Sequence, residues 1–337
     1  MSNYAYVATR ARSRRSRLLP AEAYNQLLNL EHAEIARYIQ DLEYRREIDR
    51  YGSTLSGADL IETALVDNLA KDIGDFLSFS KGKLRDILHV YAEKYRVDNL
   101  KNIIRGINQN MDRQNLERLV CPINDSDKDL YSKLYDSKTV EDVISSLEGT
   151  SYYNPLKKAL ESRNSDSLQP LEDTLDLIYY RNLVSNQPSG GADVEVYRNF
   201  VQLKVDIANI KTLLRMRHRG IGSHDELLIS GGTLATDLLA SAQSLEDLLS
   251  SLEGTKYFEL LEPHLKPDSV DLNSCVHSLD EYMARKTKRF SYLYPLSVLP
   301  VLDYLLKKER EVYNLRAIVR GKQAGLANEI IEELVVV

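Results

Sequence analysis

Residues 314–322 read NLRAIVRGK, and close variants of the phrase occur twice more, NLKNIIRG at 99–106 and NIKTLLRM at 209–216. Aligned on Asn99, Asn209 and Asn314, the steps are 209 − 99 = 110 and 314 − 209 = 105 residues. The columns around the asparagines agree. Leu100, Ile210 and Leu315 follow them, then Lys101, Lys211 and Arg316, and six positions on stand Arg105, Arg215 and Arg320. Further landmarks keep the register. TVEDVISSLEGTSYYNPL at 139–156 resembles SLEDLLSSLEGTKYFELL at 244–261, with EIARYIQDLEYRREI at 34–48 as a weaker third version. Tyr44, Tyr152 and Tyr257 then precede their asparagines by 55, 57 and 57 residues, and Leu65, Leu175 and Leu279 by 34, 34 and 35. Self-similarity at a fixed period is the signature of repeated structural units. The chain reads as three helical copies, 1–120, 121–231 and 232–337, each large enough to be a domain.

Everything local points to helix. The chain has 9 Pro and 15 Gly in 337 residues and no sustained period-two alternation. Thr139 and Ser244, each with an acid three residues on, fit capping boxes. Gly149 and Gly254 stand where a left-handed C-cap belongs, SGAD at 56–59 fits a helix start, and Gly106 and Gly321 are expected to stop the anchor helices. CPINDSDKD at 121–129 and SGGT at 230–233 read as linkers, and NQPSGGAD at 186–193 as a flexible loop.

On a helix, Val301, Leu302, Leu305, Val312, Leu315 and Val319 share one apolar arc. Glu309, Arg316 and Arg320 border it, and the other copies place Lys94, Lys101, Arg105 and Lys204, Lys211, Arg215 there. Two readings stand. The stems can cover the core while the heads reach water or a neighbouring carboxylate. Alternatively, the lines meet acidic surfaces of other domains or of a partner. The anchor asparagines read as structural.

Several functions are disfavoured. The net charge is −6, unlike a general nucleic-acid binder. The basic excess is confined to the start, where Arg10, Arg12, Arg14, Arg15 and Arg17 occur without an acid in residues 1–19. That segment fits a nucleic-acid arm, a transit peptide, or the opening of the first domain with Tyr4, Val7, Ala8, Ala11, Leu18 and Leu19 facing inward. Cys121 and Cys275 match no zinc spacing. No Walker loop, HExxH or GxSxG motif is present, and His218 and His224 read as surface histidines. The most apolar run, 290–302, has 13 residues and two prolines, whereas a membrane span needs about 20 apolar residues.

The opening NYAYVATRARSRRSRLL at 3–19 and the ending YLYPLSVLPVLDYLLKKEREVYNLRAIVRGKQAGLANEIIEELVV at 292–336 resemble the C subunit of archaeal A-type ATP synthases, a family related to the d subunit of the V-type pump. Pro295, Leu296, Pro300, Tyr304, Leu305, Leu306, Glu309, Glu311, Asn314, Leu315, Arg316, Ile318, Arg320 and Gly321 occupy that family's closing phrase. The resemblance implies an all-α protein of three similar domains forming a pseudo-threefold funnel, with no cofactor and no catalytic residue. It also implies a place on the cytoplasmic face of the membrane, between the proteolipid c-ring and the D and F subunits of the central shaft, and a role in transmitting torque. The other reading is a stand-alone helical-repeat adaptor, an open array with a concave binding face.

Overall fold

The structure, a computed structural model, describes residues 2–162, 167–188, 190, 192–220, 225–266 and 269–336. Positions 189 and 191 of the NQPSGGAD loop, and His224, lie outside these residues. The fold is all-α. Its only described strands are the two-residue pair Leu265–Lys266 and Ser269–Val270, antiparallel with Leu265 opposite Val270.

Each copy contributes one long linking helix and one long anchor helix. The linking helices are Gly57–Phe79, Gln169–Ser185 and Leu272–Leu293. The anchor helices are Lys83–Asn108, Ala192–His218 and Leu299–Gln323. The expected arc is the buried one: Val301, Leu302, Leu305, Val312, Leu315 and Val319 are all at most 5% exposed. The shorter helices begin where the sequence says. Thr139 and Ser244 accept from the amides of Asp142 and Asp247, and those carboxylates return bonds to the capping residues' own amides. Gly149 and Gly254 take φ of +84° and +76°, the left-handed region closed to most side chains.

Gly106 and Gly321 do not stop their helices, which run on to Asn108 and Gln323. Their role is close approach. A Cβ at 106 would lie 2.3 Å from Leu116 Cδ2, and one at 321 would lie 2.7 Å from Ile331 Cγ1. Leu116 and Ile331 belong to the short helices Arg113–Leu119 and Asn328–Leu334 that fold back over the ends of the anchor helices. The second copy has Met216 in this column and no such returning helix among the described residues. CPINDSDKD is a connector only as far as Asn124, whose side chain caps the helix Asp125–Leu134.

By packing, the chain forms two compact units. One comprises residues 1–171 and 301–337, and the other residues 172–300. These units cut across the repeats: the last anchor helix, from Val301 on, belongs with the first copy. The basic N-terminal segment is the opening helix Tyr4–Arg15 of that unit. Arg14 bonds Asp72 and Asp75, Arg15 bonds Asp303 at 2.7 Å, and Arg10 lies over the rings of Tyr6 and Phe79. Arg14 and Arg15 are thus paired with carboxylates of the same unit.

Candidate functional site

The anchor asparagines do the same thing three times. Asn99 Nδ2 donates to the carbonyl of Cys121 at 2.8 Å, and the Cys121 amide donates back to Oδ1 at 2.9 Å. Asn209 holds Ile229, and Asn314 holds Val336, with the same pair of distances. A side-chain amide here pairs with a backbone peptide as a neighbouring strand would. Each clamp satisfies one donor and one acceptor of an irregular segment; at Cys121 and Ile229, where the pair is buried, leaving them unpaired would cost about 1–3 kcal/mol per group.

The landmark tyrosines form a second threefold set. Tyr152 Oη donates to Glu93 at 2.8 Å, Tyr257 Oη to Asp206 at 3.0 Å, and Tyr44 Oη to Glu311 at 2.6 Å. In each case the carboxylate sits on the anchor helix of another copy. The tyrosine of copy 2 docks on copy 1, that of copy 3 on copy 2, and that of copy 1 on copy 3. The residue three positions before each asparagine reinforces the same order. Arg96 bonds Asp127 at 2.7 Å, Asp206 accepts from the amides of Thr233 and Leu234, and Glu311 accepts from the amide of Leu19 at 2.6 Å. Every anchor helix therefore fastens the start of the next copy, and the last fastens the first.

The three joints share geometry but not charge. In the last-to-first joint, Lys308 is 1% exposed and Glu311 3%. The Lys308 ammonium bonds Tyr44 Oη at 2.7 Å and Glu311 at 3.1 Å, and lies 4.0 Å from the centroid of the Tyr44 ring. Among the described residues, the donors to fully buried Asp206 are neutral: two amides and the hydroxyls of Thr233 and Tyr257. The SGGT segment makes this possible. A Cβ at Gly232 would lie 2.1 Å from Asp206 Oδ1, so only a bare backbone can approach. Burial, then the adjacent carboxylates, push the Tyr44 and Tyr257 hydroxyls well above their usual range, which keeps them donors.

The charged lines meet carboxylates of this same chain. Lys94 and Tyr95 both bond Glu309. Lys94 and Glu309 occupy one column, 99 − 94 = 5 and 314 − 309 = 5. Arg316 bonds Glu62 at 3.1 Å, and Arg320 bonds Glu62 and Asp59. Burial favours protonation of Glu62, but the hydrogen bonds and charges of Arg320 and Arg316 outweigh it and hold the carboxyl below its ordinary range. Lys211 bonds Asp280 and Arg215 bonds Asp173, at 2.6 and 2.7 Å. Lys204 lies over the rings of Tyr179 and Tyr180. On the first anchor helix, Lys101 is half-buried and Arg105 exposed.

No reactive constellation accompanies these contacts. Burial raises the Cys121 thiol to about 12 and the Cys275 thiol to about 11, opposite to the shift a nucleophile needs. Among the described residues, no cluster of three or more His, Cys, Asp or Glu could hold a metal ion, and no helix is long and apolar enough to cross a membrane.

Lys308 escapes a sequence reading that assigns charges to the edge of the arc. A signal was present, because 301, 305, 308, 312, 315 and 319 form an unbroken 4-3-4-3-4 progression with Lys308 among the buried positions.

Residues 7–334 match the family described as ATP synthase (C/AC39) subunit. The chain belongs to that family. It is 36% identical to the A-type ATP synthase C subunit of Haloferax volcanii, over 99% of this chain and 98% of the relative. The corresponding protein of Archaeoglobus fulgidus is 33% identical over 99% and 96%, and that of Methanosarcina mazei 32% over 100% and 93%. The family match covers nearly the whole chain, and the joints say what its closing phrase does. Tyr304 bonds Asp72, Glu309 bonds Lys94, Glu311 bonds Tyr44, Asn314 clamps Val336, and Arg316 and Arg320 bond Glu62. These residues fasten the last anchor helix into its unit.

Proposed function

We propose that this chain is the non-catalytic coupling subunit of a rotary A/V-type ATP synthase. It joins the D/F rotor shaft to the membrane proteolipid ring at the cytoplasmic face. It transmits torque for ATP synthesis driven by an ion gradient, or for ATP-driven pumping. Its three domains, 1–120, 121–231 and 232–337, surround a pseudo-threefold axis as a funnel, and its attachment to the membrane is indirect, through the ring. The observation that carries this reading is the full-length family match, joined to the cyclic order of the joints. A part loaded in torsion needs every copy tied to the next, including the last to the first. An open adaptor array has no use for a last-to-first joint and leaves its end copies capped instead.

The test is affinity purification of the tagged chain from detergent-solubilised membranes, with partners identified by mass. Shaft and ring proteins are expected together, and a preparation lacking both overturns the reading. Reversing Arg316 and Arg320 together to Glu is expected to weaken that co-purification. Because both arginines serve Glu62, the isolated double variant is also expected to melt at lower temperature. A variant that melts like the parent and assembles normally would reduce these arginines to plain surface.

A further inference from the structure

The three copies differ most at the bend between linking and anchor helix. In the first copy it is Ser80-Lys81-Gly82, and in the second the polar stretch after Ser185. In the third it runs from Tyr294 to Val298, directly after the last helical residues Tyr292 and Leu293. Tyr292, Leu293, Tyr294 and Leu296 are 61, 59, 41 and 64% exposed. Four large apolar side chains within five residues face outward, whereas the matching stretch of the first copy, Ser78 to Gly82, has one, Phe79, which Arg10 covers, so core packing does not explain them. The bend is well formed. Ser297 Oγ donates to the Tyr294 carbonyl at 2.7 Å and accepts from the Leu299 amide at 3.2 Å. Pro295 and Pro300 restrict the backbone on either side. Immediately before the tip, the last turns of the linking helix carry Lys286, Lys288 and Arg289, the latter two exposed. The whole chain is acidic, with a net charge of −6, so three cations beside this tip are a local reversal of sign.

We infer that, in addition to the indirect attachment through the ring, the Tyr292–Leu296 tip and the adjoining Lys286, Lys288 and Arg289 form a docking surface for an anionic lipid bilayer. The chemistry of each part matches a level of the interface. Leucines gain by leaving water for the acyl boundary, and tyrosines sit at headgroup depth with their hydroxyls wet. Lysine and arginine just outside meet anionic headgroups, each contributing a severalfold gain in partition. The tip enters the interface without crossing it, in keeping with the shortness of the apolar run.

The test uses the purified full chain and vesicles, with no partner protein, so its outcome is independent of the assembly experiment above. The chain is expected to float with phosphatidylglycerol-containing vesicles and to partition about tenfold or more weakly onto pure phosphatidylcholine. Leu293→Ser with Leu296→Ser should lower the partition coefficient on the order of tenfold or more. Lys288→Glu with Arg289→Glu should bring anionic vesicles down to the phosphatidylcholine level, while Lys81→Ser in the polar bend of the first copy changes nothing. The protein has no Trp, which permits an independent reporter. Leu293→Trp should shift its emission to the blue when anionic vesicles are added. Absence of flotation by the parent chain, or an unshifted emission with vesicles present, overturns the inference. So does retention of the parent chain, but not the Leu293→Ser/Leu296→Ser variant, on lipid-free proteolipid in detergent, if vesicles fail to bind. That result would assign the tip to protein.

Discussion

The joint around Glu311 and the joint around Asp206 use the same columns of the repeat and solve the same problem by opposite means. Each buries a carboxylate on an anchor helix and receives a tyrosine hydroxyl and at least one backbone amide. Glu311 also has a buried cation, Lys308. Asp206 has a glycine-turn backbone instead, close enough to donate two amides. A long anion on a crowded face takes a counter-ion. A short one, met by bare backbone, is satisfied by dipoles. In these two copies the repeat preserves where a joint is made and leaves free how its charge is balanced.

This contrast can be broken most directly at Lys308. Lys308→Ala leaves Glu311 buried without its cation and is expected to cost about 3–5 kcal/mol in denaturant unfolding followed by circular dichroism. Asp206→Asn keeps one accepting oxygen among neutral donors and should cost about 1–2 kcal/mol. Equal losses for the two variants would mean that charge balance plays no part in the difference. The asparagine clamps come next. Asn209→Ala should cost about 2–4 kcal/mol, because Ile229 is buried. Asn314→Ala should cost less, because Val336 is only half-buried and near the chain end. A reversal of that order would contradict burial as the source of the clamp's value. Gly106→Ala forces Leu116 to move and should cost about 1–3 kcal/mol, whereas Met216→Ala in the same column of the second copy tests a cavity instead of a clash.

The smallest effect is electrostatic. Glu62 titrates below its ordinary range in the folded chain, so its contribution is fully present above the unfolded carboxyl pKa of about 4.3 and is lost as pH falls through the lower folded value. Arg316 and Arg320 are about 40% exposed, so solvent screening limits that contribution to about 1 kcal/mol or less. Acid titration of stability should show a shallower fall for Glu62→Gln than for the parent. Asp72 is shifted the other way, because its burial outweighs the help of Tyr304 and Arg14. Its charge therefore opposes folding above its raised pKa, and acidification relieves that opposition.

The repeat, the caps and the core arc were legible because they depend on periodicity and on residues a few positions apart. Tyr44, Tyr152 and Tyr257 were legible as landmarks but not as donors. Their acceptors lie six positions before the asparagine in one copy, Glu93, and three before it in the others, Asp206 and Glu311, so no single column carries the carboxylate. Gly106 and Gly321 misled because a glycine near a helix end has two common uses, and only the position of Leu116 and Ile331 in space selects close approach. The edge cations were visible as lines, but their partners Glu62, Asp59 and Asp280 come from other helices whose placement sequence spacing does not encode.

The cyclic order of the joints sets a timetable for synthesis. Tyr152 and Tyr257 follow the carboxylates they dock on by 59 and 51 residues. Tyr44 waits for Glu311, 267 residues downstream. At about 5–20 residues per second, the first copy leaves the ribosome on the order of 10–50 s before the helix that completes it. During that interval the surface that will receive Lys308 and Glu311 is uncovered, and a nascent chain holding it is open to the anchor helix of another molecule.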